Sequence, residues 1–141
     1  MEIKTDFLIL GSGIAGLSFA LKVCKYGSVA IVTKKEKLES GTNYAQGGIA
    51  SVLGDDDSFD LHMADTLTVG DGLSHHKVVE SVVKDGPSRI NELVELGVKF
   101  SKGKNKMGSS YDLGREGGHS RRRILHAQDL TGREVEMILA K

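Results

Sequence analysis

Phe7-Leu8-Ile9-Leu10-Gly11-Ser12-Gly13-Ile14-Ala15-Gly16 is the stretch from which the fold is read. Four consecutive apolar residues suit a parallel strand covered on both faces. The residues after them match G-x-G-x-x-G between a strand and a helix, the context that gives this pattern meaning. Gly11 permits the tight turn, Gly13 lets the backbone approach a pyrophosphate, and Gly16 permits close helix–strand packing. Leu17 to Val23 continues in good helix formers, and Gly27 is placed to end the helix. Val29-Ala30-Ile31-Val32 reads as a second buried strand, completing a βαβ unit of about 30 residues. A helix opened this way presents unpaired N–H groups and its positive end to a diphosphate. The motif therefore points to dinucleotide binding over a structural glycine turn, without separating FAD from NAD.

One position departs from the simple pattern. An Asp or Glu about 20 residues on normally holds the ribose hydroxyl. Here the second strand runs into Thr33-Lys34-Lys35, and the nearest acid, Glu36, comes late. Taken alone, Thr33-Lys34 points to NADP.

The 141 residues suit roughly one domain. Hydrophobic residues make up 39% and charged residues 27%, the proportions of an ordinary globular domain. Lys+Arg and Asp+Glu both number 19, which argues against a nucleic-acid binder that relies on a broad basic surface. The Arg121-Arg122-Arg123 cluster is either a phosphate or carboxylate site or a solvated patch. Cys24, the single cysteine, excludes an intrachain disulfide and is expected as a buried, inert thiol. The start of the chain lacks a signal-peptide pattern, and no run of about 18 apolar residues occurs, so a cytoplasmic protein without a membrane span is expected.

Farther along, Lys35 to Gly54 reads as an ordered loop, and Asp55-Asp56-Asp57 as a solvated turn without the ligand pattern of a calcium loop. Ser58 to Val69 and His76 to Asp85 are expected to be helical. Pro87 suits the first turn of another helix with Arg89 to Leu96 as its body and Gly97 as its stop. Ile90, Leu93, Val94 and Gly97 share one face of it. Val98-Lys99-Phe100 suits a short strand, and Ser101 to Arg123 is a long, glycine-rich, basic loop of the kind that is functional or disordered. Thr131 and Glu134 form a capping-box pattern ahead of the apolar run Val135 to Leu139.

The segment Ser40-Gly41-Thr42-Asn43-Tyr44-Ala45-Gln46-Gly47-Gly48-Ile49-Ala50 resembles the second flavin-binding segment of the succinate dehydrogenase/fumarate reductase flavoprotein superfamily. The match is strongest over Ala45 to Gly48. In that superfamily the ribose acid is commonly missing and a lysine follows the second strand, which accounts for Lys34. The resemblance implies a partial α/β, Rossmann-like FAD-binding domain with a glutathione-reductase-like βαβ start. It also implies that Ser12 to Ala15, Lys34 and Gly41 to Gly48 line FAD, with Gly11 and Gly16 shaping the first turn. Gly47-Gly48 allows a backbone to pass close to a flat ring. Membrane-linked members attach FAD through a histidine that aligns with Gly41, so a glycine there implies a non-covalent flavin.

Leu113-Gly114-Arg115-Glu116-Gly117-Gly118-His119-Ser120 is similar to the aspartate oxidase members, which carry a glutamate before Gly-Gly. Succinate and aspartate differ by an ammonium group, and a carboxylate at Glu116 can accept its hydrogen bonds and balance its charge. Arg121 to Ala127 and Asp129 to Glu136 also resemble that pattern. His119 and His126 are given structural or supporting roles, and His62, His75 and His76 are expected on the surface.

The resemblance implies FAD-dependent oxidation of L-aspartate to iminoaspartate, the first step of bacterial-type quinolinate and NAD synthesis, with oxygen or fumarate as electron acceptor. A contact with quinolinate synthase is left open, and neither nucleic acid nor membrane is an expected partner. Residues 1–141 are read as the amino-terminal part of the FAD-binding domain, without the capping and C-terminal helical domains, so the isolated chain is expected to be inactive. Three rivals stay open: a fumarate reductase or succinate dehydrogenase-like subunit, a non-catalytic dinucleotide-binding module, and an NADP-dependent oxidoreductase. Glu116 discriminates the first, and flavin absorbance the last.

Overall fold

The computed structural model describes residues 2–36, 38–103, 110–127 and 130–141. Residues 104–109 of the expected glycine-rich loop, and Asp129 of the last family pattern, lie outside the described residues. The chain divides into two compact units, one of Met1–Gln46 with Leu130–Lys141 and one of Gly47–Asp129.

In the first unit β1 (Phe7–Leu10) and β2 (Val29–Val32) pair in parallel, Phe7 opposite Val29 and Leu10 opposite Val32, with α1 (Ile14–Val23) as the crossover. The turn between β1 and α1 requires glycine twice. Gly11 has φ +103°, a left-handed conformation that a side chain disfavours. A Cβ at Gly16 would stand 2.2 Å from the Gly11 carbonyl oxygen, so α1 can lie this close to β1 only without one. The strands are not covered on both faces as expected: Leu8 is 62% and Leu10 78% exposed, while Ile9 is buried against α1's side. α1 stops at Val23, ahead of Gly27, and Cys24 caps it with its N–H on the Ala20 carbonyl. That cap position leaves Cys24 exposed, contrary to the buried thiol expected. α4 (Thr131–Leu139) packs on α1. Its N-cap is Leu130 and no side chain caps it, so the Thr131–Glu134 capping box does not form; Thr131 is already the first helical residue.

The second unit joins a helix pair to a small antiparallel sheet. α2 (Phe59–Val69) starts where Ser58 accepts the Leu61 N–H at 3.2 Å, an N-cap bond. α3 (His76–Glu95) is one continuous helix with Pro87 inside it, rather than two helices. Its buried residues Val79, Val83, Ile90 and Leu93 keep one face across the proline. Burial of that face outweighs the lost hydrogen bond to the Val83 carbonyl. Val94, at the rim of the face, stays exposed. Gly97 (φ +109°) ends α3 as expected: its N–H bonds Val94 and the Val98 N–H bonds Leu93, the Schellman arrangement. Because Val98 donates backwards, Val98 to Phe100 does not form the expected strand, although Val98 and Phe100 are both buried. β3 (Ile49–Ala50), β5 (Ile124–Leu125) and β4 (Leu113–Gly114) form the sheet in that order, all antiparallel. Leu113, Ile124, Leu125 and Ala127 are buried there, and Phe100 meets Tyr111 edge to face at 6.2 Å.

Ile90 is 1% exposed. Ile90→Ala should lower the stability of the second unit by about 2–5 kcal/mol, the range for deleting a buried branched side chain. Urea denaturation followed by circular dichroism measures this, and a loss below about 0.5 kcal/mol, the scale of a surface change, would place Ile90 outside the packed core.

Candidate functional site

In the first unit the N-terminus of α1 and the second glycine-rich segment meet directly. Gly13 is the extended N-cap of α1; it brings no side chain of its own to the helix end, and the first turn holds no acid. An anion approaching those amides therefore meets the positive helix end without a competing carboxylate. Ile14 N–H donates to Thr42 Oγ1 at 3.0 Å, and Thr42 N–H donates to Ser40 Oγ at 3.0 Å. Ser12 is buried and bonds Thr33 through its hydroxyl at 3.3 Å, so a hydroxyl pair stands at the end of β2 where an acid was looked for. Lys34 follows, exposed.

The segment itself is tied down by α4. Ala45 N–H donates to the Thr42 carbonyl at 3.1 Å, and Gly132 N–H donates to the Ala45 carbonyl at 3.0 Å. A Cβ at Gly132 would stand 1.8 Å from the Thr42 oxygen, so α4 docks here only as glycine. Asn43, Tyr44 and Gln46 line a cavity of about 380 Å³ together with Leu38, Leu130, Arg133 and Met137. Around Gly41 nothing lies within 4 Å of a built Cβ. This cradle of an acid-free helix N-terminus, close-packed glycines and small hydroxyls fits a dinucleotide diphosphate.

In the second unit Glu116 stands against Gly47. Its Oε1 lies 3.1 Å and its Oε2 3.6 Å from where a Gly47 Cβ would be. Gly48 presses on β5, where a Cβ would come 2.1 Å from the Leu125 oxygen. Gly47 and Glu116, 60-odd residues apart in the chain, are thus neighbours.

Behind Glu116 lies a network that the sequence reading missed. Arg123 is 0% exposed. Its Nε and Nη2 donate to the two oxygens of Asp57 at 2.8 and 2.7 Å, and Nη1 donates to Asp65 at 2.7 Å. Asp57 is therefore no solvated turn residue; its side chain is fully buried in this pair. His62, expected on the surface, is 6% exposed and its ring lies 5.6 Å from that of His119. Burial, then the charge of Arg123 and the nearby His119, pushes its imidazole below the usual value. His126 faces Asp112 at 3.6 Å. The available signal was the polar make-up of α2: a helix facing a core with His62 and Asp65 on it needs buried partners.

The FAD binding domain family matches residues 6–141. The chain is 52% identical to L-aspartate oxidase 2-b, chloroplastic, of Nicotiana tabacum over 95% of its own length, which is 20% of that relative. It is 42% identical to L-aspartate oxidase of Vibrio cholerae over 98% of its length and 26% of the relative's. Among solved structures it is similar to E. coli quinol fumarate reductase, with TM-score 0.89 and 32% identity over 98% of this chain and 24% of that one. The chain thus spans about a fifth to a quarter of the relatives it matches. It belongs to the FAD binding domain family.

The network leaves a measurable mark on Asp65. Desolvation pushes its carboxyl up, but hydrogen bonds from the Ser120 N–H and hydroxyl and from Arg123 outweigh that and hold it at about 2, below the ordinary 3.8. Because the folded value lies below the unfolded one, the stabilisation is complete above the ordinary value and is lost as pH falls through the folded one. A carbon-detected NMR titration should therefore show the Asp65 carboxyl inflecting at about 2; an inflection at the ordinary value would mean that the bonds do not form.

Proposed function

We propose, on the premise of that family membership, that this chain is the amino-terminal FAD-holding part of an L-aspartate oxidase. The observation that carries the reading is the Glu116 carboxylate against Gly47, beside the glycine pair that a flat ring would approach. In this reading Gly11, Ser12, Gly13, Ile14, Ala15 and Gly16 meet the diphosphate. Lys34 and the segment Gly41, Thr42, Asn43, Tyr44, Ala45, Gln46, Gly47 and Gly48 line the remainder of a non-covalent FAD. Bound there, FAD supplies the two-electron acceptance that turns L-aspartate into iminoaspartate. Glu116 accepts hydrogen bonds from the substrate ammonium and balances its charge, which orients the carbon to be oxidised. The amides at the start of α1 hold the diphosphate, and the Gly132 contact keeps Thr42 to Ala45 in place.

Oxygen or fumarate is the proposed electron acceptor, quinolinate synthase a proposed partner, and the cytoplasm the proposed location. The Nicotiana tabacum relative is named chloroplastic. No helix among the described residues is long and apolar enough to cross a membrane. Identity to the named aspartate oxidases exceeds that to quinol fumarate reductase, which favours an amine-bearing substrate over succinate.

Glu116→Gln, made in a protein of full family length that carries this chain, tests the assignment. The KM for aspartate should rise about tenfold or more, the worth of a hydrogen bond between charged groups, while inhibition by succinate stays unchanged. Equal losses for both ligands would favour a fumarate reductase-like enzyme instead.

A further inference from the structure

We propose that Asp65 and Ser120, locked by the buried guanidinium of Arg123, form a clamp that positions Glu116 over Gly47 and so sets selectivity for an amine-bearing substrate. The proposal rests on the reading of Glu116 given above and names the residues that act through it.

Glu116 sits in an exposed stretch followed by Gly117-Gly118, residues that give a chain little stiffness. Its local bonds turn the stretch on itself: His119 N–H donates to the Glu116 carbonyl at 3.3 Å and Arg115 Nε to the His119 carbonyl at 2.9 Å. Those bonds shape the turn without saying where it points. Direction comes from α2. One oxygen, Asp65 Oδ2, accepts the Ser120 N–H at 2.7 Å, the Ser120 hydroxyl at 2.8 Å and Arg123 Nη1 at 2.7 Å. Arg123 Nη1 also lies 3.3 Å from His119 Nδ1. An arginine only donates, so in this contact Nδ1 is the acceptor. Gly118 (φ +80°) closes against Val69, where a Cβ would come 2.7 Å from a methyl group.

Arg123 also sets the other end of the geometry through its backbone. Its N–H donates to the Gly114 carbonyl at 3.1 Å, and its carbonyl accepts the Ser51 N–H at 2.9 Å. Gly114 ends the strand from which Glu116 emerges, and Ser51 follows the strand that begins after Gly47-Gly48. One residue therefore fixes both strands by its main chain and, through Asp65, the far end of the Glu116 turn by its side chain. Asp57 takes the remaining guanidinium face bidentately, which holds the fork in a single orientation.

Removing Arg123 would leave the buried Asp57 carboxylate without its partner and destabilise the whole unit, so the test uses Asp65 and Ser120. In this chain, Asp65→Asn should speed hydrogen exchange of the Ser120 amide about tenfold, with α3 amides unchanged, as expected for losing a bond to a charged acceptor. Ser120→Ala should speed exchange across 116–119 with the fold kept, and Ser120→Thr, which retains the hydroxyl, should restore the wild-type rate. In the full-length enzyme, Asp65→Asn and Ser120→Ala should raise the aspartate KM severalfold while leaving succinate inhibition unchanged, with Ser120→Thr again restoring it. Unchanged exchange in both Asp65→Asn and Ser120→Ala overturns the clamp. A loosened turn with equal effects on aspartate and succinate overturns its role in selectivity. If Glu116→Gln leaves aspartate selectivity intact while Asp65→Asn loosens the turn, the reading of Glu116 falls and the clamp alone stands.

Discussion

A guanidinium removed from water must have its donors satisfied by acceptors held at fixed angles, or it costs several kcal/mol. Arg123 meets that demand with Asp57 on the approach to α2, Asp65 on α2 itself and His119 in the turn that follows Glu116. These groups come from two stretches distant in the chain, α2 with the approach to it and the turn after Glu116, so satisfying the one side chain ties the helix to the turn. The guanidinium helps to hold the Asp65 carboxyl below its ordinary value, and desolvation of Arg123 is outweighed by its bonds to the carboxylates, which raise its affinity for a proton further. The turn that carries Glu116 is tied to this network through Ser120, whose N–H and hydroxyl share the Asp65 oxygen with Arg123.

The first unit obeys a different rule, closeness of backbone. α1 can approach β1 because position 16 lacks a Cβ, and α4 can approach Thr42 and Ala45 because position 132 lacks one. Thr42 then joins the two features, with its hydroxyl on the Ile14 amide and its carbonyl under the Ala45 amide. An anion site made from main-chain donors needs such close approach, since a side chain would hold the ligand away from the amides.

What could be read in the sequence was what local chemistry decides. The β1–α1–β2 unit follows from glycines at fixed offsets between apolar runs, the start of α2 from Ser58, and the end of α3 from Gly97. Recognition of the Gly41 to Gly48 and Glu116 motifs named the family, which the comparisons bear out. Other features depended on partners distant in the chain. Asp57 in a run of three aspartates looks solvated until Arg123, 66 residues later, is placed beside it. His62 looked like a surface residue because α2 carries no clear apolar stripe. Pro87 misled for the opposite reason: a local breaking rule yielded to an apolar face shared by residues on either side of it. Cys24 stood on the apolar side of its helix by pattern, yet it falls on the cap.

The account stands or falls on where an amine-bearing substrate places its nitrogen. A crystal structure of the full-length protein with FAD and aspartate bound measures this directly. The ammonium nitrogen should lie within about 3 Å of a Glu116 oxygen, the distance of a charge-assisted hydrogen bond, with the flavin ring alongside Gly47-Gly48. An ammonium held by other groups, with Glu116 turned to solvent, would contradict it.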